Sequence, residues 1–111
     1  MNLGFILTKT PAEEGYNTFI KFLKLYSETD DIIIYLIGNG VYNFRKGHNP
    51  SNAVMKLIEN SKNSTKIYSC LDDLKARGIN VETLLKGVMV FESYDSMVVD
   101  IMENMDQVYT F

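Results

Sequence analysis

The chain has 111 residues, 46% hydrophobic and 23% charged, which fits a single globular domain over residues 1–111. Eleven Lys and Arg against fourteen Asp and Glu give a net charge of −3, so the broad basic surface of a nucleic-acid binder is not expected. One cysteine excludes an intrachain disulfide and a cysteine-cluster zinc site, one histidine excludes a His-x-x-x-His metal pair, and no cofactor is expected.

The first apolar run, Leu3 to Leu7, reads as a strand; no basic leader precedes it and it is too short for a signal core. Thr10-Pro11-Ala12-Glu13 has the form of a capping box, with Thr10 as N-cap, Pro11 in the first helical position and Glu13 reaching back. Tyr16, Phe19, Ile20 and Leu23 follow at the spacing of a helix with one buried face. Ile32 to Ile37 is almost uniformly apolar and β-branched, as expected of a parallel strand covered on both faces. A polar loop runs from Gly38-Asn39-Gly40 through His48, and a second helix starts near Asn49-Pro50 or Ser51 with Ala53, Val54, Leu57 and Ile58 inward.

Thr65 to Tyr68 is a third strand. Ser69-Cys70-Leu71-Asp72 then reads as a helix start, with Ser69 as N-cap, Cys70 first in the helix, and Gly78 ending it. Asn80 caps a further short helix ending before Gly87, and Val88 to Phe91 is a fourth strand. Ser93 opens a last helix whose Met97, Val98, Ile101, Met102 and Met105 are expected to face inward, and Val108 to Phe111 forms a fifth strand. Such alternation predicts an α/β class fold, a three-layer α/β/α sandwich around a five-stranded, mostly parallel sheet. Sites in such sheets gather at the carboxyl ends of the strands, which singles out the loop after Ile37 and the turn at Cys70.

Cys70 is the leading candidate for chemistry. A helix N-terminus favours a thiolate through its free N–H groups and dipole, whereas Asp72 and Asp73 oppose a second negative charge. On that reading the thiol should be partly accessible and more acidic than a free one; the alternative is a small apolar residue filling the core. Gly38 and Gly40 do not complete a dinucleotide fingerprint, because position 43 is Asn43, and a tight turn is the simpler reading. His48 is either a base near the cysteine or a solvated loop residue, and Tyr42, Phe44, Arg45 and Lys46 read as a loop rim. A receiver domain lacks its acidic pair here, and a thioredoxin-like motif lacks its second cysteine, since Asp73 stands there.

Ile67-Tyr68-Ser69-Cys70 followed by Leu74-Lys75-Ala76-Arg77-Gly78-Ile79 resembles the DsrE/DsrF/DsrH and TusB/TusC/TusD-like proteins, in which a strand ends at a cysteine and a short helix closes on an Arg-Gly turn. Gly38-Asn39-Gly40-Val41 resembles the family's Gly-Asp-Gly-Val turn, with Asn39 in place of Asp. Leu85-Lys86-Gly87-Val88 fits the entry to the fourth strand, and Asp106 to Phe111 is similar to the closing segment, with Gln107 in place of Arg. The resemblance implies a cytoplasmic sulfur-relay subunit that associates as a homo-oligomer or with related subunits, and in which Cys70 receives sulfane sulfur as a persulfide. It would pass that sulfur from a donor protein to an acceptor protein, acting as a persulfide sulfurtransferase without metal or cofactor. The alternative is a non-catalytic assembly or small-molecule-binding module of the same fold with a structural cysteine. The loop after Ile37 and the helix at Ser93 are the expected contact surfaces, and neither nucleic acid nor membrane is an expected partner.

Overall fold

The computed structural model describes residues 1–111. Five strands, β1 (Asn2–Leu7), β2 (Asp31–Leu36), β3 (Thr65–Cys70), β4 (Val88–Phe91) and β5 (Gln107–Thr110), form one sheet in the order β4-β3-β2-β1-β5. Every neighbouring pair is parallel, with Phe5 beside Ile34, Ile34 beside Ile67, Ile67 beside Val88, and Phe5 also beside Tyr109. The helices are α1 (Tyr16–Tyr26), α2 (Asn49–Glu59), α3 (Leu71–Ala76) and α4 (Tyr94–Asn104). The first three crossovers step one way along the sheet and the last steps back. Right-handed connections therefore place α1, α2 and α3 on one face and α4 on the other, which is the expected α/β/α sandwich.

The main core lies under α1–α3. Leu3, Phe5, Leu7, Ile32, Ile34, Leu36 and Ile67 meet Phe19, Leu23, Val54 and Leu74 there, all buried. Phe5, Phe19, Phe22 and Phe111 pack edge to face with centroids 5.2–6.2 Å apart, the geometry that aromatic quadrupoles favour. Ile33 is half-buried on the thinner α4 side, where Tyr35 stacks on Tyr68 and meets Phe91 edge-on.

Several local expectations need correction. The Thr10 box does form, with the Thr10 N–H donating to Glu13 Oε1 at 3.0 Å, but it closes a turn rather than a helix. Gly15, at φ 96°, resets the backbone, and α1 begins only at Tyr16. Ser69 is the penultimate residue of β3, wholly buried, and Cys70 itself is the N-cap of α3. Ser93 and Asn80 precede their helical turns without donating or accepting a side-chain capping bond. On α2, Ala53 is exposed and Ser51 takes an inward place beside Val54.

The largest departure concerns α4. Met97 is buried, but Val98 is 47% and Met102 79% exposed. The helix carries two apolar stripes, Met97-Ile101-Met105 and Tyr94-Val98-Met102, and only the first meets the sheet. The loop after Ile37 does the reverse and turns its apolar residues inward, burying Val41 and Phe44.

That loop is held close to β1. A Cβ on Gly40 would overlap the Leu7 carbonyl oxygen, so no larger residue fits without moving backbone. Gly40→Ala is expected to destabilise the fold by about 2–3 kcal/mol, read as a lowered urea midpoint. Gly47, whose Cβ would meet open space, serves as the control: at φ 74° its replacement by Ala should cost only about 1 kcal/mol.

Candidate functional site

The parallel sheet delivers the end of β2 and the end of β3 to the same edge. From β2 the chain enters a 3-10 turn, Gly38–Tyr42, and from β3 it passes through Cys70 directly into α3. Gly38 adopts φ 55°, which turns its N–H toward α3, where it donates to Asp73 Oδ2 at 2.8 Å. Arg77, one turn after Asp73, reaches back across the gap. Its Nε and Nη2 donate to Asn39 Oδ1 at 3.3 and 3.2 Å, and its Nη1 lies 3.6 Å from the Asp73 carboxylate. The Gly-Asn-Gly turn and the Cys…Arg-Gly segment, 30 residues apart in sequence, are thus joined by side chains of both (70 − 40 = 30).

Asp73 is the hub of this cluster. Besides Gly38 and Arg77 it accepts a hydrogen bond from the Tyr94 hydroxyl at 2.7 Å, which ties the start of α4 to α3. Burial pushes its carboxyl up, but the Gly38 N–H, the Tyr94 hydroxyl, the Cys70 thiol and Arg77 outweigh burial and hold it below the ordinary carboxylate range. The same contact pushes the Tyr94 hydroxyl up to about 12, chiefly through the hydrogen bond it donates to Asp73. A hollow of about 320 Å³ lined by Asp72, Asp73, Ser93, Tyr94 and Asp95 opens at this point.

Cys70, the N-cap of α3, is 1% exposed and packed within the main core. The expectation of a partly accessible, acidified thiol is therefore corrected for the free subunit. Burial pushes the thiol up, and the Asp73 carboxylate adds to that. The N–H groups of Asp72 and Asp73 face the sulfur and act the other way, but they are outweighed. At six residues α3 is too short for its dipole to reverse the balance.

The remaining candidates sit apart from this cluster in their bonding. His48 Nδ1 lies 2.6 Å from Ser51 Oγ, which also accepts the Arg45 N–H at 3.1 Å, so the imidazole anchors the start of α2. Burial and the nearby Arg45 hold His48 below its ordinary value. Arg45 lies over the Tyr42 ring at 5.6 Å and donates from Nε to the Tyr42 carbonyl at 2.6 Å, so this cation and ring occupy each other. No three His, Cys, Asp or Glu side chains converge to hold a metal ion. Sequence reading missed Asp73, Arg77 and Tyr94 as a unit; only the Asp73/Arg77 spacing of four was visible.

The depressed Asp73 carboxyl stabilises the fold at pH values above the ordinary unfolded carboxylate range, and that contribution is lost as pH falls through the folded value. Asp73→Asn is expected to cost about 1–3 kcal/mol near neutral pH. The gap to the parent should close below about pH 4, as read by denaturant melts across pH.

A family profile described as "DsrH like protein" matches residues 11–107. Protein MJ0989 of Methanocaldococcus jannaschii is 30% identical over 117 aligned positions, covering 100% of both chains. Among solved structures, MTH1491 from Methanobacterium thermoautotrophicum superposes with a TM-score of 0.79 at 19% identity, covering 99% of this chain and 98% of that one. The ychN protein from E. coli gives 0.71 at 14% identity, covering 99% and 97%. These two structures share the fold. No helix is long and apolar enough to cross a membrane. The profile match spans most of the sequence, and the chain belongs to the DsrH-like family, whose members work in sulfur-relay complexes.

Proposed function

We propose that this chain is a cytoplasmic sulfur-relay subunit in which Cys70 carries sulfane sulfur as a persulfide. The observation that carries the reading is the position of the lone cysteine of a DsrH-like chain. Cys70 ends β3 at the carboxyl edge of a parallel sheet, with two backbone N–H groups facing its sulfur. In the loading step the Cys70 sulfur attacks the outer sulfur of a donor persulfide. A bond forms between these two sulfurs, the donor's own S–S bond breaks, and the donor departs as a thiol carrying the proton Cys70 has lost. Nothing is oxidised or reduced overall. Delivery repeats the exchange, with an acceptor thiolate taking the outer sulfur and Cys70 regaining its proton.

Such a subunit works with others of its kind, and the outward stripe of α4 supplies the surface. Tyr94, Val98 and Met102 are 48%, 47% and 79% exposed and follow one another at i, i+4 and i+8. Water-facing apolar side chains in such a row mark a contact face. A second reading, a non-catalytic assembly subunit with a structural cysteine, is favoured by the burial of Cys70 and its raised thiol.

Two outcomes are expected. Incubation with glutathione persulfide should add one sulfur atom to the intact chain, removable by a thiol reductant and absent in Cys70→Ser. A chain that stays unmodified, with a thiol alkylated only after unfolding in the assembled protein, supports the assembly reading instead. Sedimentation should show association, either alone or with related subunits, and Val98→Asp should weaken it without lowering the melting temperature. A Val98→Asp chain that associates like its parent would remove α4 from the interface.

A further inference from the structure

We propose that the hollow between α4 and the sheet is a binding site for an arylalkylamine, its ring seated among Tyr35, Tyr68 and Phe91 and its ammonium paired with Asp100. The inference is independent of Cys70 and its role. On this face of the sheet α4 is the only helix, and two hollows remain between it and the strands. The smaller, of about 180 Å³, is lined by Tyr35, Tyr68, Phe91, Ser96, Met97 and Asp100. A wider cleft of about 340 Å³ runs to the amino ends of β1, β2 and β3 at Asn2, Asp31 and Lys66. Tyr68 and Asp100 belong to the walls of both.

Asp100 supplies the charge. It follows the buried Met97 by three residues and precedes Asn104 by four, so it lies toward the side of α4 that meets the sheet. Its carboxylate accepts from the Tyr35 hydroxyl and from Asn104 Nδ2, the latter at 2.7 Å. Both donors are neutral. The ion pairs of the chain lie elsewhere, at Met1–Asp30 and Asp73–Arg77, so Asp100 has no ionic partner. A half-buried carboxylate whose hydrogen bonds are met but whose charge is not favours a cation beside it. The wider cleft leans the same way. Asp31 offsets its single cation, Lys66, which is exposed and unpaired, and the carbonyl end of α4 at Asn104 adds the negative end of the helix dipole.

The smaller hollow selects the other half of the ligand. Tyr35, only 2% exposed, stacks on Tyr68 with centroids 6.1 Å apart and meets Phe91 edge-on at 6.2 Å. Met97 adds a thioether to the same wall. Ring faces, ring edges and a methionine sulfur all attract a further aromatic ring. An apolar cavity of about 150 Å³ accepts benzene, so the 180 Å³ here has room for one six-membered ring. A short carbon arm then carries the ammonium to Asp100, where the walls of the two hollows meet, and leaves the wider cleft for water.

Phenethylamine is the probe, titrated into the full chain in its native state of association and followed by amide NMR. Saturable shifts are expected at Tyr68, Phe91, Met97 and Asp100. Methylamine keeps the ammonium without the ring, and 3-phenylpropionate keeps the ring and arm with the opposite charge; each should bind at least about tenfold more weakly. Asp100→Asn retains an acceptor for the Tyr35 hydroxyl and removes the charge, and it should weaken phenethylamine binding about tenfold or more. If that variant does not fold, the three ligands decide the matter alone. The site is overturned by the absence of saturable shifts with millimolar phenethylamine, or by shifts centred away from α4 and its strands. Equal binding of 3-phenylpropionate, or parental binding by a folded Asp100→Asn chain, overturns it as well.

Discussion

Parallel pairing along all five strands governs the whole molecule. It requires each strand to be followed by a crossover, and right-handed crossovers then commit three helices to one face and one helix to the other. It also gathers every strand's carboxyl end at one edge, which is why the turn after β2, the cysteine after β3 and the start of α4 are neighbours. The Gly40 backbone lies against the Leu7 carbonyl because no side chain separates the turn from β1. The same turn presents the Gly38 N–H to Asp73.

Two opposing effects act on the Cys70 sulfur, and their sizes decide its state. Backbone N–H groups at the start of α3 favour a thiolate, as sequence position alone suggests. Burial in the main core and the adjacent Asp73 carboxylate oppose it, and burial is the larger. The balance leaves the thiol raised above its ordinary value in the free subunit.

Much of the fold was legible in sequence because its signals were redundant. Ile32 to Leu36 is apolar at every position, a run that only a buried strand of this length explains, and Pro50 marks the first turn of α2. What failed were features with competing local solutions. Thr10 and Glu13 make the bond of a capping box, yet Gly15 decides where the helix begins. Ser69 looks like an N-cap by type, but the two-residue period of β3 carries it into the sheet, opposite Leu36, and gives the cap to Cys70. On α4 the apolar residues form two stripes, and periodicity cannot say which of them meets the sheet. The candidate site was half visible: Cys70 and the Gly38-Asn39-Gly40 turn could be named, but the bonds from Asp73 to Gly38 and Tyr94 are long-range and leave no local pattern.

The central claim is that Cys70 carries sulfur in the working protein, and its state in the cell tests that most directly. Cells making the chain would be lysed in the presence of an alkylating agent, and the peptide containing Cys70 examined by mass spectrometry. The account predicts a fraction of that peptide bearing one extra sulfur between Cys70 and the alkyl group, lost when the lysate is first reduced. A peptide found only as the directly alkylated thiol, in cells with active sulfur transfer, would contradict it.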